Sequence, residues 1–219
     1  MVKTNINLFA EGEVVYTDGG VLAEFAWVLV VLPFIAALII TFAGKSLPLK
    51  GAEIALGTIG IIFIYSLALM YLHVTEGVAN EFFINVGNIG QFDIEFGWVV
   101  DGLSIMMYFV VGLVALLVFI YATNYMEGEI RYTFFFTSLT LFAGSMLVLV
   151  SSPTLIQILI GWELVGVCSY LLIGHYWEVK DNSSAAMKAF ITNKIADVGL
   201  MIGIITVSYT HLRAHETRY

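Results

Sequence analysis

Charge is what this sequence has least of. Of its 219 residues, 12% are Asp, Glu, Lys or Arg, against about 25% in average soluble domains. A water-soluble globule needs more than that to clothe its surface, and 60% of the residues here are hydrophobic. Cysteine is scarcer still. One Cys excludes a disulfide framework, a zinc knuckle or an iron–sulfur cluster held by this chain alone, since each needs several thiolates. With 3 Pro and 20 Gly, neither a collagen-like repeat nor a disordered low-complexity chain fits. The net charge of −8 argues against a nucleic-acid partner, whose phosphates it would repel. Phosphate-cradling glycine loops and a Ser/His/Asp order are missing, and Ser145 in FAGSM lies mid-helix rather than on a strand–turn–helix elbow. What remains is the membrane.

The apolar residues do come in bilayer-length runs, which takes about 20 residues each. Residues 25–43, 102–126 and 132–150 contain no charged side chain, and 54–74 has only His73 near its end. Residues 154–177 contain Glu163 well inside and His175 near the end, and 189–207 contain Lys194 and Asp197. The first four runs lack the polar stripe at 3.6-residue spacing that a soluble helix would show. The fold class expected is all-α: a multi-pass transmembrane bundle of about six helices. Pro33 is expected to kink the first span, which a bundle tolerates.

Lys and Arg set orientation. Lys45 and Lys50 lie between spans one and two, Arg131 between three and four, and Lys180 between five and six, with Lys188 close by. The connection between spans two and three has Glu76, Glu81, Asp93, Glu95 and Asp101 and no basic residue, and Ser151–Ser152–Pro153 is uncharged. The N-terminus is therefore expected outside, with residues 1–24 as an acidic overhang rather than a signal peptide. Alternation within FFINVGNIGQFDIEFGW predicts a short external hairpin-like loop between spans two and three. The bundle itself is expected over 25–207. From Ser208 the chain becomes SYTHLRAHETRY, which resembles translated sequencing-adapter read-through. Residues 208–219 are read as a non-native tail on an amino-terminal fragment, and the His211/His215 spacing is set aside with it.

Three ionisable residues fall at bilayer depth, each costing at least about 2.5–3.5 kcal/mol to insert. Glu163 lies about 15 Å from the outer end of the fifth span and, counted from Ala185, Lys194 lies about 13 Å and Asp197 about 18 Å from the inner face, at 1.5 Å rise per residue. Hydrocarbon favours the neutral acid and a nearby ammonium favours the carboxylate, so a small movement reverses the balance. That is what a proton relay needs. Lys194 and Asp197, at i and i+3, are also placed to pair with each other, which leaves a purely structural latch as the competing reading. Gly161, Gly166, Cys168, Ser169 and Gly174 are expected to let neighbours approach the fifth span closely. Tyr170 shares the face of Glu163, and His73 and His175 are both placed at inner helix ends. Lys188, Tyr170 and His175 are supporting candidates; no metal site is expected.

Four motifs in order, VDGLSIMMYFVVGLVALLVFIYATNYM, FFFTSLTLFAGSMLVLVSS, GWELVGVCSYLLIGHYW and NSSAAMKAFITNKIADVG, resemble the antiporter-like subunit L of proton-pumping NADH:quinone oxidoreductase (respiratory complex I) and its mitochondrial counterpart, subunit 5. The resemblance covers about Val99–Gly203. It implies that Glu163 is the fifth-helix glutamate used in proton translocation and that Lys194 and Asp197 are the charged pair of the sixth helix. Arginine is common in the family where Lys194 stands; lysine keeps the charge and loses the bidentate fork. The seventh-helix lysine that the family pairs with this glutamate is missing from the chain. Further implications are other membrane-arm subunits, the lipid bilayer and protons as partners, and a bacterial-type plasma membrane location. No cofactor is expected in this chain, with NADH, FMN, iron–sulfur clusters and quinone handled elsewhere in the complex. The alternatives are a large subunit of a multi-subunit sodium/proton antiporter, and a membrane scaffold whose buried charges only fix helix register.

Overall fold

The structure, a computed structural model, describes residues 20–89 and 92–216; most of the expected overhang lies outside the described residues. Helices α1 (Gly20–Glu24), α2 (Trp27–Ala43) and α3 (Ala52–Glu76) are followed by strands β1 (Asn80–Ile89) and β2 (Phe92–Val100). Helices α4 (Gly102–Tyr125), α5 (Tyr132–Val150), α6 (Leu155–Ile173) and α7 (Lys180–Glu216) complete the order. Helices α2 to α7 match the six predicted spans, and each is long and apolar enough to cross a bilayer. The protein is a multi-pass α-helical membrane bundle carrying one hairpin. Its outward side chains agree: Phe42, Ile64 and Val74 are 85%, 67% and 79% exposed. Water would not tolerate a surface of that kind, whereas lipid is its natural solvent.

Local sequence explains where the helices start. Thr154 Oγ1 accepts from Gln157 N at 3.3 Å at the head of α6, and Asp101 and Ser104 form a reciprocal capping box at the head of α4. Helix α2 runs unbroken through Pro33. Helix α7 begins at Lys180, well before the hydropathy of the sixth span rises, and its backbone stays helical to Glu216. Hydropathy marks the part of a helix that lies in lipid, and nothing in KDNSSAAM breaks the helix outside it. The backbone thus carries on into the 208–219 tail, whose side chains lie outside the described residues.

Helix α5 is the hub, packed on α2, α3, α4 and α6, while α7 packs on α6 and the turn after it. Between helices in lipid there is no hydrophobic driving force, so close contact of small residues must supply the attraction. At Gly161 a Cβ would stand 2.9 Å from Leu149 Cα, so α6 lies directly on the α5 backbone. Tyr108, Phe119 and Phe136 fill the centre with fully buried rings.

The connections segregate to two ends. At one, Thr133 Oγ1 donates to the Lys50 carbonyl at 3.0 Å and Arg131 pairs with Glu178 at 2.7 Å. At the other, the antiparallel hairpin sits over the α5–α6 connection, with Val99 N donating to the Ser151 carbonyl at 2.9 Å. Lys45, Lys50, Arg131 and Lys180 therefore gather at one end, opposite the acidic hairpin.

The hairpin is held by a residue with no motif around it. Gln157, buried in the first turn of α6, accepts from Gly97 N at 2.9 Å and donates to the Gly97 carbonyl at 2.8 Å. The side-chain amide thus imitates a neighbouring strand. Gly97 has to be glycine, because a Cβ would run into the Phe82 carbonyl across the ladder. Gln157→Leu orphans both backbone groups at about 1–3 kcal/mol each. Amide hydrogen exchange across 80–100 should then accelerate, with Gly97 among the first to lose protection.

Candidate functional site

Helix α6 has one carboxylate in its whole length, Glu163, the ninth residue of a 22-residue apolar span. Lys194 is the fifteenth residue of the 28-residue span that follows. Both are thus near mid-membrane, and the packing of α6 on α7 turns them toward each other. The Lys194 ammonium forms an ion pair with Glu163 Oε2. It also donates to Asp197 Oδ2 at 3.1 Å, one turn further along α7. Asp197 is the most enclosed of the three, its side chain 7% exposed, against 30% for Lys194 and 36% for Glu163.

The second Asp197 oxygen is occupied as well. Trp162 Nε1 donates to Asp197 Oδ1 at 2.8 Å. The Phe190 ring stands 5.3 Å from Lys194 Nζ and packs against Tyr170 at 5.2 Å between centroids. Among the described residues, two carboxylates share one cation. Fully ionised, the cluster would hold one uncompensated negative charge at a depth where charge is costly. Binding one proton removes it.

Comparison with known proteins bears on what such a cluster belongs to. Residues 87–136 match the family model described as the N-terminus of chain 5 of NADH-ubiquinone oxidoreductase (complex I). Residues 151–212 match the transmembrane family of NADH:quinone oxidoreductase and the Mrp antiporter. The chain is 39% identical over 191 residues to NAD(P)H-quinone oxidoreductase chain 5 of Synechocystis, covering 84% of this chain and 28% of the relative. It is 36% identical over 189 residues to subunit 5 of the Paulinella chromatophora organelle, covering 83% and 28%. The chain belongs to the chain 5 family. It spans little more than a quarter of the length of these curated relatives. A solved archaeal respiratory membrane complex, the membrane-bound sulfane sulfur reductase, shares the fold. There the TM-score is 0.67 at 13% identity, covering 81% of this chain and 36% of that one.

Within this family fold, the residues expected to support the cluster lie apart from it. Lys188 is exposed on α7, two turns short of Lys194. Tyr170 approaches the lysine only through the Phe190 ring and lines a cavity of about 260 Å³ with Arg131 and Trp177. His175 is buried among Phe134, Phe135 and Tyr176, and its Nδ1 has no hydrogen bond among the described residues. Nearby, outside the span, the Arg131 guanidinium holds the Glu178 carboxyl below the usual carboxylate range.

Two expectations need correcting. His73 and His175 are at opposite ends: His73 Nδ1 lies 2.7 Å from the Val78 carbonyl beside the hairpin, because the second span runs back toward that face. Gly166 meets open space, and the close approach belongs to Gly161 alone of these two. Cys168 is buried, 3.8 Å from Ser145 Oγ.

Sequence reasoning missed Trp162 and Gln157. A signal existed for the first, since an indole N–H in mid-membrane needs an acceptor. Gln157, near a span end, gave none, because polar residues are ordinary there.

Proposed function

We propose that this chain is the amino-terminal part of a proton-translocating membrane-arm subunit of NADH:quinone oxidoreductase, with Glu163, Lys194 and Asp197 handling the proton. The single observation that supports this reading is the sharing of one mid-membrane ammonium between two carboxylates on adjacent helices. When Lys194 leans toward Asp197, Glu163 is left without a counter-charge and takes up a proton. When Lys194 returns, the carboxylate is favoured and the proton leaves. The family's seventh-helix lysine would be the onward partner. Quinone reduction elsewhere in the assembly would drive the cycle, with NADH, FMN, iron–sulfur clusters and quinone bound by other subunits. The partners are then the remaining membrane-arm subunits. The Lys/Arg end would face the cytoplasmic side of a bacterial-type plasma membrane, with the hairpin outside. The match of residues 87–136 to the chain 5 family favours this over the sodium/proton antiporter reading.

The test uses the full-length subunit in its assembled complex. Glu163→Gln should remove most NADH-driven proton translocation, and Glu163→Asp should keep part of it. Unchanged pumping with Glu163→Gln would overturn the proposal. If Lys194→Leu combined with Asp197→Leu also left pumping intact, these charges would serve helix register alone.

A further inference from the structure

We infer that Trp162 is a positioning residue for this cluster: its indole N–H fixes the Asp197 carboxylate and thereby sets how Lys194 is divided between Asp197 and Glu163. The inference rests on the proposed function above and adds a residue to it. Trp162 and Glu163 are neighbours on α6, their side chains leaving the helix about 100° apart. They grip two α7 residues one turn apart, Trp162 holding Asp197 and Glu163 meeting Lys194. Two adjacent side chains on two partners set the rotation of α7 against α6.

The hydrogen-bond inventory gives the N–H its importance. Indole nitrogen is a donor only, and water is scarce at this depth. Asp197 receives one donor on each oxygen, Trp162 on Oδ1 at 2.8 Å and Lys194 on Oδ2 at 3.1 Å. No other side chain donates to it among the described residues. Without the N–H, a carboxylate that is 7% exposed has Lys194 alone to meet its charge. The ammonium is then drawn away from Glu163, and proton uptake there no longer depends on a movable cation. Packing is the lesser part of what Trp162 contributes to this chain. It is 49% exposed, and phenylalanine would retain most of its ring.

The experiment is carried out in the full-length subunit within the assembled complex, with rates normalised to assembled subunit. Trp162→Phe should lower NADH-driven proton translocation about ten- to a hundredfold, the loss expected for one hydrogen bond to a charged group. Trp162→His, which keeps a ring N–H, should recover at least half of the loss. In an Asp197→Asn background the further effect of Trp162→Phe should shrink to less than about 1.5-fold, because the two residues act through one contact. Wild-type pumping by Trp162→Phe overturns the inference, as does a loss that persists undiminished with Asp197→Asn. Should Trp162→Phe fail to assemble, Trp162→His decides: pumping near the wild-type rate supports the inference, and failure alongside Trp162→Phe overturns it. Glu163→Gln in the same assay separates the two claims. If it pumps normally, the proposed function fails; if it is silent while Trp162→Phe is normal, only the role of Trp162 falls.

Discussion

Lys194→Met is expected to be among the most damaging single changes in the bundle. It removes the cation from between Glu163 and Asp197 and leaves two carboxylates facing one methionine at bilayer depth. Taking one partner from a buried ion pair costs about 3–5 kcal/mol, because the remaining charge loses its compensation. Lys194 and Glu163 retain about a third of their exposure in this chain, so the lower end of that range applies. The loss should appear as a lowered thermal aggregation midpoint of the full-length subunit in detergent. Lys194→Arg keeps the charge and should lose much less. The decisive comparison adds Glu163→Gln and Asp197→Asn to Lys194→Met. Neutral amides do not need the ammonium, so the triple variant should be more stable than Lys194→Met alone. Equal stability of the two would mean that the charges do not interact as the geometry requires.

Gly161→Leu is expected to separate α6 from α5. A Cβ at this position stands 2.9 Å from both Leu149 N and Leu149 Cα. Overpacking against side chains costs about 1–3 kcal/mol, because rotamers adjust. Here the obstacle is main chain, which has no rotamer to change, so about 3 kcal/mol or more is expected. The whole of α6 has to move, carrying Trp162 and Glu163 with it. Gly166→Ala, on the same helix but with nothing within 4 Å of the new Cβ, should instead gain about 1 kcal/mol of helix propensity. The thermal midpoints of the two variants should therefore move in opposite directions. A Gly161→Leu subunit as stable as the parent would show that α5 and α6 are not in backbone contact.

Much of this architecture was legible before any coordinates. Six apolar runs and an acidic alternating segment point to the helices and the hairpin, because hydropathy and strand alternation are properties of local sequence. Glu163, Lys194 and Asp197 stand out for the same reason, as charged groups well inside runs that are otherwise largely apolar. The misreadings also have physical causes. Lys180–Met187 is helical yet polar, so a search for apolar length starts α7 too late. His73 belongs at the hairpin end because the same alternation of Lys and Arg that puts the N-terminus outside carries span two back to that face, so placing it beside His175 conflicts with that orientation. Trp162 falls in the hydrophobic residue class, and a classification by whole residue does not show its single polar atom.

From the chain alone came the number of spans, the depth of the charged groups and the gathering of lysine and arginine in alternate connections. These follow from transfer free energies that add residue by residue along the sequence. Only the tertiary structure decided that Lys194 reaches across to Glu163, that Trp162 takes the other Asp197 oxygen and that Gln157 clasps the hairpin. Such pairings depend on the rotational phase of one helix against the next, and close contacts such as Gly161 on the Leu149 backbone set that phase.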